Sequence, residues 1–189
     1  MSVFHWVRHG PTHQKTFVGW RDVPADLSDA DQIARLTRHL PRDALVVSSD
    51  LLRSVATADA ICGARSRLPH MPSLREFHFG AWDGVHFSRI PEAQSRPYWE
   101  RPGNTAPPGG ESWNTAAARV GAAVRHLMRA HPGRTFIAVA HIGVILTQVQ
   151  AANGWRPEQA IAHKIDNLSV TTIDWTAPSQ RVRQINHLP

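Results

Sequence analysis

The sequence lacks several features that would place it in a specialised class. It has one cysteine, Cys62, which cannot form an internal disulfide. Its longest apolar stretches, such as residues 136–140, suit short buried strands and fall far below the roughly 20 residues of a transmembrane helix. No repeat or low-complexity tract is present. Because strand-like residues 3–7 follow the first methionine almost directly, we expect no signal peptide and a cytoplasmic location.

Acidic residues are fewer than basic ones, with 15 Asp and Glu against 21 Lys and Arg and a formal net charge of +6. A basic surface can attract nucleic acid, membranes or anionic small molecules. The basic residues are scattered, without a run of five, and no nucleic-acid-binding module is visible. We therefore expect no nucleic-acid partner and no membrane partner. Binding of an anionic small-molecule substrate would explain part of the positive charge.

Length and composition indicate one ordinary globular domain. The 189 residues suffice for one well-buried domain, and 42% hydrophobic with 19% charged residues is a typical balance. Short β-rich runs alternate with helical stretches, which is typical of an α/β domain with a largely parallel sheet. We predict a single domain over residues 1–189.

This alternation gives a coarse order of elements. Strands are predicted at residues 3–7, 44–47, 136–140, 169–175 and 181–185, the last two around a turn at 177–179. Helices are predicted after Leu27-Ser28-Asp29, from Ser48-Ser49-Asp50 to about residue 61, and over residues 112–131. Residues 86–110 are rich in Pro, Gly and Arg, and we predict that they form an irregular segment covering a site.

Three polar groups of residues come directly after predicted strands. They are Arg8-His9-Gly10, the stretch 48–53 that ends in Arg53, and the stretch 140–143 that contains His141. Ligands of open α/β sheets bind at the carboxyl ends of the strands. Two guanidinium groups suit bidentate contact with a phosphate, and a neutral, oriented histidine beside them can attack phosphorus. The sequence therefore predicts a phosphoryl-transfer site at this edge.

These motifs resemble those of the histidine phosphatase superfamily, the phosphoglycerate-mutase-like or two-histidine phosphatases. The matching elements follow the family's order from residue 4 to about residue 170. They are Arg8-His9-Gly10, Phe17-Val18-Gly19-Trp20, Leu27-Ser28, residues 49–58, residues 74–84, Gly109-Gly110-Glu111-Ser112, His141 and Asn167-Leu168-Ser169. The resemblance implies a three-layer α/β/α fold, with a mostly parallel central sheet flanked by helices.

The resemblance also implies an activity: metal-independent hydrolysis of small phosphomonoesters through a phosphohistidine. His9 corresponds to the family nucleophile, and Arg8, Arg53 and His141 would hold the phosphate oxygens. Glu76 is the candidate general acid, which would protonate the leaving alcohol and then take a proton from water. A small phosphorylated substrate is thus the expected partner, and no cofactor is implied.

The sequence departs from the family pattern next to both histidines. Pro11 and Lys15 stand where the family commonly has Glu and Asn, and Ile142 replaces the first glycine of the common His-Gly-Gly. We include Thr12, Lys15 and Ile142 as candidate phosphate- or substrate-binding residues. Lys15 would add positive charge beside the phosphate if it points inward, and otherwise it is simply solvated.

Two alternatives to these assignments are less favourable. Asp83 is a second candidate for the general acid, but the family position favours Glu76 and predicts a structural role for Asp83. His5, His9 and His13 are spaced by four residues, which suggests a metal site. On a strand, successive members of such a series lie about 13 Å apart, too far for one ion. We therefore predict no metal site.

The type of enzyme and its substrate are less well determined. A phosphatase is favoured over a phosphomutase because the family's mutases tend to be longer, with extra cover segments. The cover contains Arg96, Tyr98, Trp99 and Arg101, which suit either stacking on a ring and holding an anion or plain surface packing. Sugar phosphates, nucleotide or cofactor-precursor phosphates and protein phosphohistidine all stay open as substrates. A catalytically weak phosphate-binding or regulatory module is the alternative from another class, and a homodimer is also left open.

Overall fold

The computed structural model describes residues 1–176 and 179–189, so residues 177 and 178 of the predicted turn lie outside the described residues. The strands are β1 (Ser2–Arg8), β2 (Leu45–Ser48), β3 (Thr135–Ala140), β4 (Val170–Thr176) and β5 (Ser179–His187). The helices are α1 (Ala30–His39), α2 (Leu52–Cys62), α3 (Glu92–Glu100), α4 (Trp113–Ala130), α5 (Ile142–Asn153) and α6 (Pro157–Ile161). Short 3₁₀ helices occur at Pro72–Leu74, Gly80–Trp82 and Phe87–Arg89.

The strands form one sheet in the order β2-β3-β1-β4-β5. Strands β2, β3 and β1 run parallel, β4 is antiparallel to β1, and β5 is antiparallel to β4. Four of the strands thus share one direction, and the expectation of a mostly parallel sheet is confirmed. In the pairing of β1 with β3, Arg8 lies opposite Ala140. The residues that follow, His9 and His141, therefore leave the sheet side by side.

Helices cover both faces of this sheet. Helices α4 and α5 pack on one face, against Phe4, Trp6 and Phe136. Helices α1 and α2 pack on the other face, against Val7 and Val139. Because successive strand residues point to opposite faces, the neighbours Trp6 and Val7 belong to different clusters. The predicted three-layer α/β/α fold is confirmed. Among the described helices, none has both the length and the apolarity to cross a membrane.

Helix α2 begins later than predicted. We expected Ser49 and Asp50 to open it, but the first helical residue is Leu52. The side chains of Ser49 and Asp50 bind elsewhere: Ser49 contacts His141, and Asp50 accepts two hydrogen bonds from Arg75. The distant Asp22 instead accepts the backbone N–H of Leu52, at 2.7 Å. A tertiary contact thus replaces the local cap that the sequence suggested.

The cover at residues 86–110 is more regular than predicted. It contains the nine-residue helix α3, which follows Pro91 and includes Pro97. Since proline disfavours helix interiors, the composition of this segment concealed the helix. Tyr98 of α3 is buried against Phe17 and Trp82 in a small aromatic cluster separate from the main core. This cluster attaches the cover to the domain.

Candidate active site

His9 and His141 lie next to each other at the carboxyl edge of the sheet. Their ring centroids are 5.0 Å apart, and both side chains are buried. The proximity follows from the parallel pairing of β1 with β3, since each histidine comes directly after one member of the Arg8–Ala140 pair. The structure therefore brings together the two histidines that the sequence analysis selected.

The ring of His9 is fixed by a hydrogen bond to its own chain. Its Nδ1 lies 2.7 Å from the carbonyl oxygen of Gly10, and a carbonyl can only accept, so Nδ1 carries the proton. The other ring nitrogen, Nε2, then holds a lone pair. Burial, assisted by the charges of Arg53 and Arg8, lowers the pKa of His9 to about 3, although the Gly10 contact acts in the opposite direction. The ring is thus neutral at ordinary pH.

The segment before β4 holds the His9 loop from the other side. Asn167 donates its side-chain N–H to the backbone carbonyl of His9, at 2.7 Å. Leu168 adopts a left-handed conformation with φ of 61°, and its backbone N–H bonds to the carbonyl of Arg8. The Arg8 guanidinium in turn donates to the carbonyl of Ile165, at 2.6 Å. The loop that carries His9 is therefore held by hydrogen bonds to its backbone carbonyls.

His141 has one nitrogen engaged and one without a partner. Its Nε2 lies 2.8 Å from the hydroxyl of Ser49. Its buried Nδ1 has no hydrogen-bond partner in the described part of the chain. Burial above all, and then the charges of Arg53 and the neighbouring His9, lower the pKa of His141 well below its usual value. The ring is thus a neutral polar group inside the site.

Two arginines, the buried Arg53 and the half-buried Arg8, supply the positive charge. Arg53 is only 1% exposed and donates to the carbonyls of Gly19, at 2.7 Å, and Arg21, at 3.1 Å. The Nε atoms of Arg53 and Arg8 are buried, and within residues 1–176 and 179–189 neither has a hydrogen-bond partner. Because a guanidinium stays protonated at ordinary pH, these groups make the site a cationic one that suits a phosphate.

Glu76 is a buried carboxyl held by two backbone N–H groups. Phe77 donates to Oε1 at 3.0 Å, and Gly143, in the first turn of α5, donates to Oε2 at 3.2 Å. Burial raises the pKa of Glu76, while these two hydrogen bonds and the charges of Arg53 and Arg8 act in the opposite direction. A raised pKa is what a general acid needs in order to carry a proton at ordinary pH.

The remaining candidates are placed differently. Lys15 is exposed, and the described residues offer its ammonium group no ion pair or hydrogen bond. The side chain of Thr12 likewise makes no hydrogen bond with any described residue. Ile142 lines a cavity beside Glu76. Asp83 accepts the backbone N–H groups of Gly19 and Arg21, so it braces a loop instead of facing the histidines.

No group of three or more His, Cys, Asp and Glu side chains among the described residues is arranged to hold a metal ion. The positive charge at this site comes from Arg8 and Arg53.

Comparison with known proteins agrees with this geometry. Residues 4–188 match the family model described as the histidine phosphatase superfamily, branch 1. The chain belongs to the histidine phosphatase superfamily.

Several relatives of this superfamily member are phosphatases by name. The chain is 31% identical over 125 residues to the metal-independent phosphoserine phosphatase of Arabidopsis thaliana, covering 63% of this chain and 52% of that protein. It superposes on the mycobacterial glucosyl-3-phosphoglycerate phosphatase Rv2419c, solved in complex with VO3, with a TM-score of 0.84, 27% identity and 98% coverage of both chains.

A longer relative is the bifunctional protein Rv2228c of Mycobacterium tuberculosis. The two sequences are 34% identical over 132 residues, which cover 66% of this chain and 33% of that protein. The chain therefore spans about a third of the length of this curated relative.

Four residues support the site in ways that sequence reasoning did not assign. Ser49 contacts His141, and Asn167 holds the His9 carbonyl. Trp20 donates its indole N–H to the backbone carbonyl of Glu76, at 2.7 Å. Arg119 donates to that same carbonyl, at 3.2 Å, and forms an ion pair with Glu111. Ser49, Trp20 and Asn167 lie within the quoted motifs, whereas Arg119 carries no such signal.

Proposed function

We propose that this chain hydrolyses small phosphomonoesters through a phosphohistidine on His9, without a metal ion. The observation that carries the proposal is the hydrogen bond from His9 Nδ1 to the Gly10 carbonyl, in a ring whose pKa is lowered to about 3. This arrangement keeps the ring neutral and leaves the Nε2 lone pair free for attack on phosphorus.

In the first step, the lone pair of His9 Nε2 forms a bond to phosphorus while the ester P–O bond breaks in line. The leaving oxygen takes the proton that Glu76 carries, so the product departs as a neutral alcohol. The raised pKa of Glu76 supports this role, because the carboxyl must be protonated before the ester is cleaved.

In the second step, water attacks the phosphohistidine. Glu76, now ionised, takes a proton from the water as its oxygen bonds to phosphorus, and the N–P bond breaks. Inorganic phosphate leaves, the lone pair returns to His9 Nε2, and Glu76 is again protonated. Both half-reactions therefore use His9 as the nucleophile or leaving group and Glu76 as the acid or base, and both groups return to their starting protonation states.

Arg8, Arg53 and His141 bind the transferred phosphoryl group in this mechanism. The two guanidinium groups neutralise its equatorial oxygens, which is the main requirement of phosphoryl transfer. We assign the proton of the Ser49–His141 hydrogen bond to the Ser49 hydroxyl, which then donates to His141 Nε2, because this leaves a proton on Nδ1, which is unpartnered among the described residues, to bind a phosphoryl oxygen. The Nδ1 of His141 is then the protonated nitrogen, and it donates to a phosphoryl oxygen.

The proposal is tested with purified protein, p-nitrophenyl phosphate and a chelator. Turnover should survive the chelator and disappear in His9→Ala. The matched control is His126→Ala, since His126 is exposed on α4 and should tolerate substitution with full activity. Loss of turnover in the chelator that a divalent metal restores, or unchanged turnover in His9→Ala, would refute the proposed mechanism. Failure to turn over any ester would instead favour a phosphate-binding module.

A further inference from the structure

A cavity of about 230 Å³ adjoins Glu76 on the side of the cover. Its lining is almost wholly apolar and includes Phe79, Trp99, Ile142, Leu146 and Ile161. These residues come from separate elements: Trp99 from α3, Ile142 and Leu146 from α5, and Ile161 from the end of α6. An apolar recess beside a cluster of convergent polar groups is typical of a small-molecule site.

The cavity and the phosphate site meet at the Glu76 carboxyl. Ile142 directly follows His141, and Gly143 both lines the cavity and donates its N–H to Glu76. If Glu76 protonates the leaving oxygen, the carbon attached to that oxygen lies on the Glu76 side of phosphorus. The rest of the alcohol then extends towards the cavity.

The charge of the lining restricts what that alcohol can be. Among the described residues, Glu76 is the only charged one that lines the cavity, and none of the arginines, lysines or histidines does so. The indole N–H of Trp113, which also lines it, is taken up by Gln150. A carboxylate or second phosphate placed there would be desolvated without a cationic partner, which is costly. The three arginines of the cover, Arg89, Arg96 and Arg101, lie outside the lining, and Arg96 pairs with Glu100.

We propose that this enzyme prefers phosphomonoesters of uncharged alcohols that carry an aromatic ring or an apolar group of similar size. The inference rests on the proposed function and adds the substrate class to it. Ligand cavities for drug-sized molecules commonly reach about 300–1,000 Å³, so the smaller cavity here fits one ring system better than an extended chain. Trp99, which is 44% exposed at the rim, offers a face for that ring.

The test compares alkyl esters whose leaving alcohols have similar intrinsic reactivity. We expect kcat/KM for 2-phenylethyl phosphate to exceed that for ethyl phosphate about tenfold or more, and that for 3-phosphoglycerate by a larger factor. In Trp99→Ala the ratio between the first two esters should fall several-fold. The control is Phe87→Ala, because Phe87 is also an exposed aromatic of the cover but does not line the cavity. In this control the ratio should persist.

The outcomes separate the inference from the proposed function. Equal kcat/KM for 2-phenylethyl and ethyl phosphate, or a preference for 3-phosphoglycerate, would overturn the inference while the phosphatase stands. A ratio that falls equally in Trp99→Ala and Phe87→Ala would also overturn it, since a general disturbance of the cover would then explain the loss. If no ester is hydrolysed, p-nitrophenyl phosphate included, the proposed function fails and the inference fails with it.

Discussion

Gly143 lies directly against the carboxyl group of Glu76. Its backbone N–H donates to Oε2 at 3.2 Å, and a Cβ at position 143 would lie 2.6 Å from Oε1 and 2.9 Å from the ring of Phe77. Any side chain at this position must therefore displace Glu76 or the helix. The first turn of α5 and the loop that carries Glu76 are fitted to one another without space for a methyl group.

Gly143→Ala should for this reason impair catalysis more than stability. We expect kcat to fall about 10²-fold or more for an alkyl phosphate, as for Glu76→Gln, because both changes remove a positioned general acid. The loss should be smaller for p-nitrophenyl phosphate, whose leaving group needs little protonation. Steady-state kinetics with both esters measures this difference.

Gly121→Ala provides the matched control for that substitution. A Cβ at Gly121, within α4, would meet only the flexible end of Arg125, at 3.2 Å. We expect unchanged kinetics and a gain of about 0.5–1 kcal/mol in stability, as for other helical glycines. Full alkyl phosphatase activity in Gly143→Ala would contradict the role given to Glu76.

Ser49→Ala should alter the tautomer of His141. Without the Ser49 hydroxyl, nothing fixes the proton on His141 Nδ1, and we expect kcat to fall about tenfold, the scale of one lost neutral hydrogen bond. The ¹⁵N shifts of the His141 ring report the tautomer directly. Ser54→Ala is the control, since Ser54 is an equally buried serine that donates to the carbonyl of Val139. An unchanged His141 spectrum in Ser49→Ala would refute this assignment.

Two arginines that donate to backbone carbonyls, Arg53 and Arg65, should give opposite results when truncated. Arg53→Ala removes a cation from the phosphate site, and we expect kcat/KM to fall about 10²–10³-fold. Arg65 donates instead to five backbone carbonyls around the ends of α1 and α2. Arg65→Ala should therefore lower Tm while the kcat/KM of the folded protein is kept. Equal kinetic losses in the two variants would mean that Arg53 acts only through the fold.

The low pKa of His9 also predicts a dependence of stability on pH. Burial lowers this pKa from 6.5 to about 3, so between these values the unfolded chain binds a proton that the folded chain does not. The free energy of unfolding therefore rises with pH across this window, and the stability that the neutral His9 contributes is lost as the pH falls towards about 3. At about pH 5, protonation of His9 in the unfolded chain lowers the free energy of unfolding by about 2 kcal/mol relative to neutral pH.

Thermal melts of two histidine variants check this prediction. His9→Gln should lose less stability than the wild type between about pH 7 and about pH 5, because one of the titrating groups is gone. His126→Gln, which changes an exposed histidine, should follow the wild type. Parallel curves for His9→Gln and the wild type would show that the ring of His9 titrates normally.

The sequence was sufficient to predict the fold and the meeting of the two histidines at one edge of the sheet. Because Arg8-His9 and Ala140-His141 each follow an apolar run, the rule that parallel strands end at one edge predicts their meeting. It was insufficient where side chains have competing partners. Serine commonly caps helices, yet the Ser49 hydroxyl forms a hydrogen bond with His141. Asp22, from a distant loop, accepts the first N–H of α2 instead. Such choices depend on tertiary distances that no local pattern contains.

The apolar cavity shows the same limit. Its lining comes from the cover, from the loop of Glu76 and from α4, α5 and α6, so its shape depends on how five segments pack. The sequence identified Trp99 as a residue suited to stacking. It did not indicate that Arg96 and Arg101 of the same cover would lie outside the lining.

The most direct test of the account is to trap the phosphoenzyme. Protein mixed rapidly with p-nitrophenyl phosphate is quenched in alkali, where phosphohistidine survives, and its peptides are analysed by mass spectrometry. We predict phosphate on the peptide that contains His9, and none there in His9→Ala. Phosphate on a different residue would contradict nucleophilic catalysis by His9. In Glu76→Gln the phosphoenzyme should accumulate, because its dephosphorylation should be slow. Release of p-nitrophenol by this variant without any phosphopeptide would therefore also contradict it.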